Sequence, residues 1–374
     1  MLRRHRLTSL YLVFLIFILS FILNILVTGG AGFVGSQLAI ALKKSFGHHQ
    51  VLALDNLKRR GSELNLLRLR DAGVAFIHGD VRFQADLASL NPDWIIECSA
   101  EPSVLAGLGS DTDYLVHTNL LGTYHCLELA RRCNAGMIFL STSRVYPILS
   151  ISKLPFVEHT TRFELEPGFS KKGISSAGIN EEFSLDGSRT LYGTTKLASE
   201  FLVQEYCDTF SIPTVINRCG LLTGPWQMGK VDQGVIVLWL ARHYFGGALS
   251  YIGYGGNGKQ LRDVLHVSDL ADVITLQLQH IEKHSGQTYN IGGGIENSVS
   301  LLELTRICQK LTNRKIAISM EHQERPGDLP WFVTDTRKFK EATGWSPQHS
   351  VESTLHEILI WLKENKQKLS SIFL

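Results

Sequence analysis

The segment Thr28-Gly29-Gly30-Ala31-Gly32-Phe33-Val34-Gly35 constrains this chain more than any other stretch. It follows the apolar run Asn24-Ile25-Leu26-Val27 and precedes an amphipathic stretch, so its regularly spaced glycines lie between a strand and a helix. In such a turn Gly29 permits the sharp bend. Gly32 lets backbone N–H groups approach a pyrophosphate at the helix N-terminus, and Gly35 lets the helix pack on the strand. Alone, the pattern serves equally well as a plain tight turn. Asp55 adds the second constraint, because it follows Gly35 by 20 residues at the end of the next apolar run. A carboxylate there can accept hydrogen bonds from an adenosine ribose and repel a 2′-phosphate, so NAD is the expected cofactor. Basic residues nearby (His48, His49, Lys58, Arg59, Arg60) leave a 2′-phosphate route open.

Short apolar runs then alternate with amphipathic stretches. The pattern predicts strands at 25–28, 51–55, 74–78, 93–98, 137–141 and 214–218. It predicts helices at 35–45, 63–72, 112–134 and 193–210. Such alternation implies a doubly wound parallel sheet covered on both faces. Segment 147–191, rich in Ser, Gly and charge, shows no period, and so long a loop in a compact domain is usually functional. The expected division is an apolar extension at 1–23, a dinucleotide-binding domain at 24–219 and a smaller α/β substrate domain at 220–374. Segment 263–292 is expected to return to the first domain.

With 37 basic and 35 acidic residues the net charge is +2, which provides no footprint for nucleic acid or an anionic membrane. The six cysteines form no CxxC pair and read as buried thiols in a reducing compartment, with no metal expected. The N-terminus is unusual: a basic Met1–Arg6 precedes an almost wholly apolar Leu10–Leu23. Such a segment reads as a membrane anchor or a signal peptide. Yet it runs without a linker into the expected first strand, and an exported body would lack cytosolic reactants. The expected reading is a true start near Leu23 and a cytoplasmic protein, with an anchor and a cleaved signal as alternatives.

Tyr192-Gly193-Thr194-Thr195-Lys196 places a phenol and an ammonium one helical turn apart. An adjacent cation favours the phenolate, so a tyrosine of lowered pKa could exchange a proton with a carbinol while hydride passes to a nicotinamide. The hydroxyl run Ser141-Thr142-Ser143, ending the preceding strand, supplies a third partner. Asp80, in Gly79-Asp80-Val81-Arg82, reads either as an acceptor for an adenine amino group or as a turn cap.

Taken in order, TGGAGFVGS, LDNL at 54–57, GDVR, NLLGT at 119–123, STSRVY, YGTTK, RDVLHVSDL at 262–270 and NIGGG at 290–294 resemble the NAD-dependent epimerase/dehydratase family of extended short-chain dehydrogenases. The resemblance implies a Rossmann-type fold, NAD, a nucleotide-diphosphate-sugar substrate and a homodimer paired through helices 112–134 and 193–210. It assigns catalysis to Thr142, rather than Ser141, with Tyr192 and Lys196. Cofactor contacts fall on Gly29, Gly32, Phe33, Val34, Gly35, Asp55, Asn56, Asp80, Val81 and Asn119, together with Tyr192 and Lys196. Substrate contacts fall on Thr142, Ser143, Arg262 and Arg325, and Arg218 takes a structural role.

Within the family, dehydratases carry Asp-Glu after the catalytic threonine, and this chain has Ser143-Arg144. The stretches Asp232-Gln233-Gly234, Gly256–His266 and Asn297–Leu304 are similar to those of CDP-sugar 2-epimerases used in polysaccharide biosynthesis. Gly220-Leu221 and Glu101-Pro102-Ser103 depart from that pattern. A UDP-sugar 4-epimerase and a net nucleotide-sugar reductase or dehydrogenase stand as alternatives.

Overall fold

The computed structural model describes residues 22–108, 112–230 and 233–373. Its centre is a seven-stranded, wholly parallel sheet built from β1 (Asn24–Thr28), β2 (Gln50–Asp55), β3 (Ala75–His78), β4 (Trp94–Glu97), β5 (Gly136–Thr142), β6 (Thr214–Cys219) and β7 (Gln287–Ile291). The spatial order is β7-β6-β5-β4-β1-β2-β3. β1 pairs with β2 in the register Ile25 to Val51 and with β4 in the register Ile25 to Trp94. The winding therefore reverses between β1 and β4, and the crevice beyond their carboxyl ends is where such sheets bind ligands. Strands buried on both faces read as continuous apolar runs, which is why the alternation was visible in the sequence.

Helix α1 (Phe33–Ser45) buries Leu38, Ala39 and Leu42 against β1 and β2. α2 (Leu191–Phe210) starts at Thr190, whose hydroxyl accepts from the Gly193 N–H. α3 (Val267–Gln279) lies against α1 and adds Leu270, Val273 and Ile274 to the same core. A second sheet aligns Leu221–Thr223, Leu261–His266 and Ser298–Ser300, with Trp331–Phe332 also paired to Leu261–His266. Beside it, helix Val235–Phe245 packs with helix Val351–Glu364 around Leu240, Leu355 and Leu362.

Three expectations change. Helix 112–134 is interrupted: an α-helical turn at Thr112–Val116 passes into a π-turn at His117–Leu121 before Gly122–Cys133 resumes. In the π-turn the Asn119 carbonyl accepts from the hydroxyls of Thr123 and Ser199, a demand that hydrophobic period does not report. Segment 147–191 is not structureless. It carries a short helix, Ile148–Ser152, and two small hairpins, and it buries Ile151, Ile174, Ile179 and Phe183 with Trp331 and Val333. The return to the main sheet starts later than expected, with α3 and β7, because 263–266 belongs to a strand of the second sheet.

All six cysteines are free thiols; Cys126, Cys219 and Cys308 are buried and the other three half-buried. Among the described residues no helix is long and apolar enough to cross a membrane. The extension at 1–21 and Asp232 lie outside the described residues.

Candidate active site

The glycine loop takes the shape its spacing implies. Gly29 sits at φ +63°, and a Cβ there would come 2.9 Å from the Cys98 carbonyl oxygen at the end of β4. A Cβ on Gly35 would lie 2.1 Å from the Gly29 carbonyl, so only glycine lets α1 start against β1. At Gly32 a Cβ would meet only the Gly29 oxygen at 3.1 Å, which leaves the loop's outer side open to a pyrophosphate. Asp55 is buried beside this loop, accepting from the Ala31 N–H at 3.1 Å and the Leu57 N–H at 2.7 Å. Burial pushes its carboxyl up, and those two N–H groups pull it back. Loop, open cradle and acidic partner together fit a dinucleotide with a free ribose 2′-hydroxyl.

Two residues expected to contact the cofactor also bond the protein itself. The Asp80 carboxylate is clamped by the Arg82 guanidinium at 2.7 Å, accepts from the Asn56 amide at 2.9 Å, and caps the Arg82 N–H. It is a turn cap and ion-pair partner. Asn119 is fully buried: its side-chain oxygen accepts from the Glu101 N–H at 2.8 Å, and its amide donates to the Glu101 carbonyl and the Thr195 hydroxyl. It ties the turn after β4 to α2. Val81 is buried against Gly122 on the following helix, whereas Phe33 and Val34 line the cavity described next.

Beyond β1, β4, β5 and β6 lies a cavity of about 570 Å³, whose lining includes Thr142, Ser143, Arg144, Tyr192, Lys196, Arg262 and Arg325. A Cβ on Gly193 would fall 2.1 Å from the Arg144 carbonyl, so this glycine lets α2 close on the turn after β5 and sets Tyr192 beside Thr142. Burial pushes the Tyr192 phenol up to about 12, while a hydrogen bond with Thr142 and the Arg144 guanidinium pull it back. The Arg144 guanidinium is a second cation that favours the phenolate. Lys196 directs its ammonium to Glu97 at 3.5 Å and over the Phe139 ring at 4.0 Å.

Ser141, the neighbouring hydroxyl, serves the scaffold by donating to the buried Glu200 carboxylate. Arg218 grips the same carboxylate at 2.7 Å and donates to the Tyr146 hydroxyl at 3.2 Å. Arg262 is held by Asp328 at 2.8 Å and by the Leu329 carbonyl at 2.7 Å while lining the cavity.

Sequence reasoning missed Arg144 as a cavity cation and Glu97 altogether. Arg144 donates to the Gly327 carbonyl at 2.9 Å, and burial with the nearby Arg262 charge pushes it down to about 10. Its signal was present, since it stands where dehydratases need an acid. Away from the cavity, His266, His349 and Glu357 bring potential metal donors within 4.8 Å of one another. The two rings stack at 4.3 Å and 25°, so their lone pairs run side by side rather than converging on one ion.

A doubly wound sheet with a glycine loop, an acidic second-strand terminus and a Tyr–Lys pair at the cavity defines a dinucleotide-dependent enzyme of the short-chain dehydrogenase type. The family model described as NAD dependent epimerase/dehydratase family matches residues 25–292, and the chain belongs to that family. It is accordingly an NAD-dependent enzyme. It is 31% identical over 354 residues to the CDP-paratose 2-epimerase of Salmonella typhi, covering 91% of this chain and 99% of the relative. It is 30% identical to the dTDP-glucose 4,6-dehydratase of Streptomyces niveus, over 92% of this chain and 94% of that one. The UDP-glucuronic acid 4-epimerase of Bacillus cereus, solved with UDP-glucuronic acid and NAD, superposes with a TM-score of 0.73 at 24% identity, covering 91% and 99% of the two chains.

Proposed function

We propose that this enzyme epimerises a nucleotide-diphosphate sugar through a transient keto-sugar, with a CDP-linked sugar inverted at C2 as the favoured substrate. The observation that carries the reading is the turn after β5. Thr142 faces the Tyr192 phenol, and the next two positions, where dehydratases carry an acid pair, hold Ser143 and the half-buried cation Arg144. Elimination of water needs a proton donor to the leaving hydroxyl, and neither residue is an acidic group. Similarity over 99% of the Salmonella typhi enzyme's length supports the CDP-sugar assignment.

Bound NAD supplies the hydride acceptor and, once reduced, the donor. Tyr192, as phenolate, takes the carbinol proton as that carbon becomes a carbonyl, and returns it after the sugar presents its other face. Thr142 holds the phenolic oxygen, and Gly29, Gly32 and Gly35 admit the pyrophosphate of the cofactor. Arg262 and Arg325, which line the same cavity, retain the nucleotide diphosphate while the keto-sugar turns. No net redox equivalent is consumed, because the hydride removed is the hydride restored. The reading includes a cytoplasmic, homodimeric enzyme. Exposed Leu121, Tyr124, Phe201 and Phe210 on the two long helices support the pairing.

The test incubates purified enzyme in heavy water with CDP-, UDP- and GDP-sugars, followed by mass analysis and NMR of the products. An isomer of unchanged mass, inverted at one carbon with its hydrogen retained and no NADH accumulating, is expected. A product lighter by one water, or steady NADH turnover, overturns the reading.

A further inference from the structure

Glu97 closes β4, one residue before the cavity-lining Cys98, and is fully buried. The mechanism above does not use it. Its side chain meets one cation, Lys196, at 3.5 Å, and Lys196 is itself only 2% exposed. Burial pushes the Glu97 carboxyl up, and Lys196, the Ser99 N–H and the Thr28 hydroxyl pull it back toward the anion. These approaches are long or bent, however, and neither carboxylate oxygen accepts a well-formed hydrogen bond among the described residues. A buried carboxylate so poorly hydrogen-bonded persists as an anion only through its counter-ion.

The geometry points to Glu97 as a positioning residue for Lys196: it holds the lysine ammonium under the nicotinamide pocket as half of a net-neutral pair. The Tyr192 phenol then feels the lysine as half of a balanced pair, more weakly than it would feel a lone cation. The inference rests on the reading of Tyr192 and Lys196 as the proton-transfer pair.

The surrounding charges agree. Arg144, from the turn after β5, and Glu101, from the turn after β4, face the phenol, as does the Cys219 thiol at the end of β6. Beside Glu97 lie the thiols of Cys98 and of Cys126, on helix Gly122–Cys133. Burial pushes all three thiols up, Cys219 to about 12 and the others well above the ordinary thiol range, so none carries charge near neutrality. Removing the Glu97 charge therefore leaves the Lys196 cation unbalanced, and its field reaches the phenol.

The experiment titrates the ultraviolet phenolate band of the full NAD-bound protein, with Tyr192→Phe counterparts subtracted to isolate Tyr192. In Glu97→Gln the band should appear at least one pH unit below that of the unaltered protein, a tenfold change in the ionisation constant. Glu97→Asp, which keeps the charge, should stay near the unaltered protein. A Glu97→Gln band that coincides with the unaltered one, or a Glu97→Asp band displaced as far, overturns the inference. Should Glu97→Gln not fold, Lys196→Met and Glu97→Gln/Lys196→Met carry the question. The neutral pair should melt higher than Lys196→Met alone, and an equal or lower melting point refutes the pairing. None of these readouts needs turnover, so a failure of the sugar assay sinks the epimerase reading while leaving the Glu97 result decisive.

Discussion

Arg218→Met tests the scaffold beneath the cavity. Arg218 and Glu200 are 5% and 1% exposed, joined by guanidinium contacts of 2.7, 3.0 and 3.1 Å. The same carboxylate receives the Ser141 hydroxyl, and Arg218 also supports Tyr146, whose hydroxyl donates to Asn290 on β7 at 2.8 Å. Methionine matches much of the arginine's apolar length but strands Glu200 without its cation. Breaking a buried pair in this way costs about 3–5 kcal/mol, chiefly through the uncompensated charge left behind. At about 2 °C per kcal/mol for a large domain, the melting point should fall by roughly 6–10 °C. The double variant Glu200→Gln/Arg218→Met removes the stranded charge and should recover about half of the loss. Denaturant unfolding at saturating NAD, which holds the ligand contribution constant, is the assay. A single variant within about 1 kcal/mol of the parent, or a double variant no more stable than the single, would show that the network is not the support described.

Tyr192→Phe should lower kcat by about 10²-fold or more while purified protein still carries NAD, measured by turnover and by cofactor released on denaturation. Arg144→Gln removes a cation that favours the phenolate, so the phenol rises and the acidic limb of the kcat–pH profile should move to higher pH. A profile shifted downward or unmoved contradicts that sign. Gly35→Ala drives a methyl to 2.1 Å from the Gly29 carbonyl and should cost about 1–3 kcal/mol with loss of bound NAD, read by melting and absorbance. Asp55→Asn removes the charge that repels a 2′-phosphate, so the preference for NAD over NADP should narrow about tenfold in a binding titration.

The sequence by itself determined the parallel sheet, because strands buried on both faces must be apolar throughout and their helices must show a stripe. It also determined the glycine loop, since Gly29 and Gly35 occupy positions where any Cβ would strike the backbone. Tyr192 and Lys196 were legible as helical neighbours. Where each side chain goes was not legible, because spacing along one helix reports a shared face but not what that face meets. Glu97 lies on β4 and Lys196 on α2, far apart in the chain, and only the folded sheet brings the carboxylate to 3.5 Å from the ammonium. The sequence left Asp80 between an adenine acceptor and a turn cap and assigned Asn119 to the cofactor, and only the folded chain shows the Arg82 clamp and the turn at Glu101 that these side chains hold. Segment 147–191 showed no period because its apolar residues are buried by strands and loops from Trp331–Val333, and contacts between such distant stretches leave no local pattern.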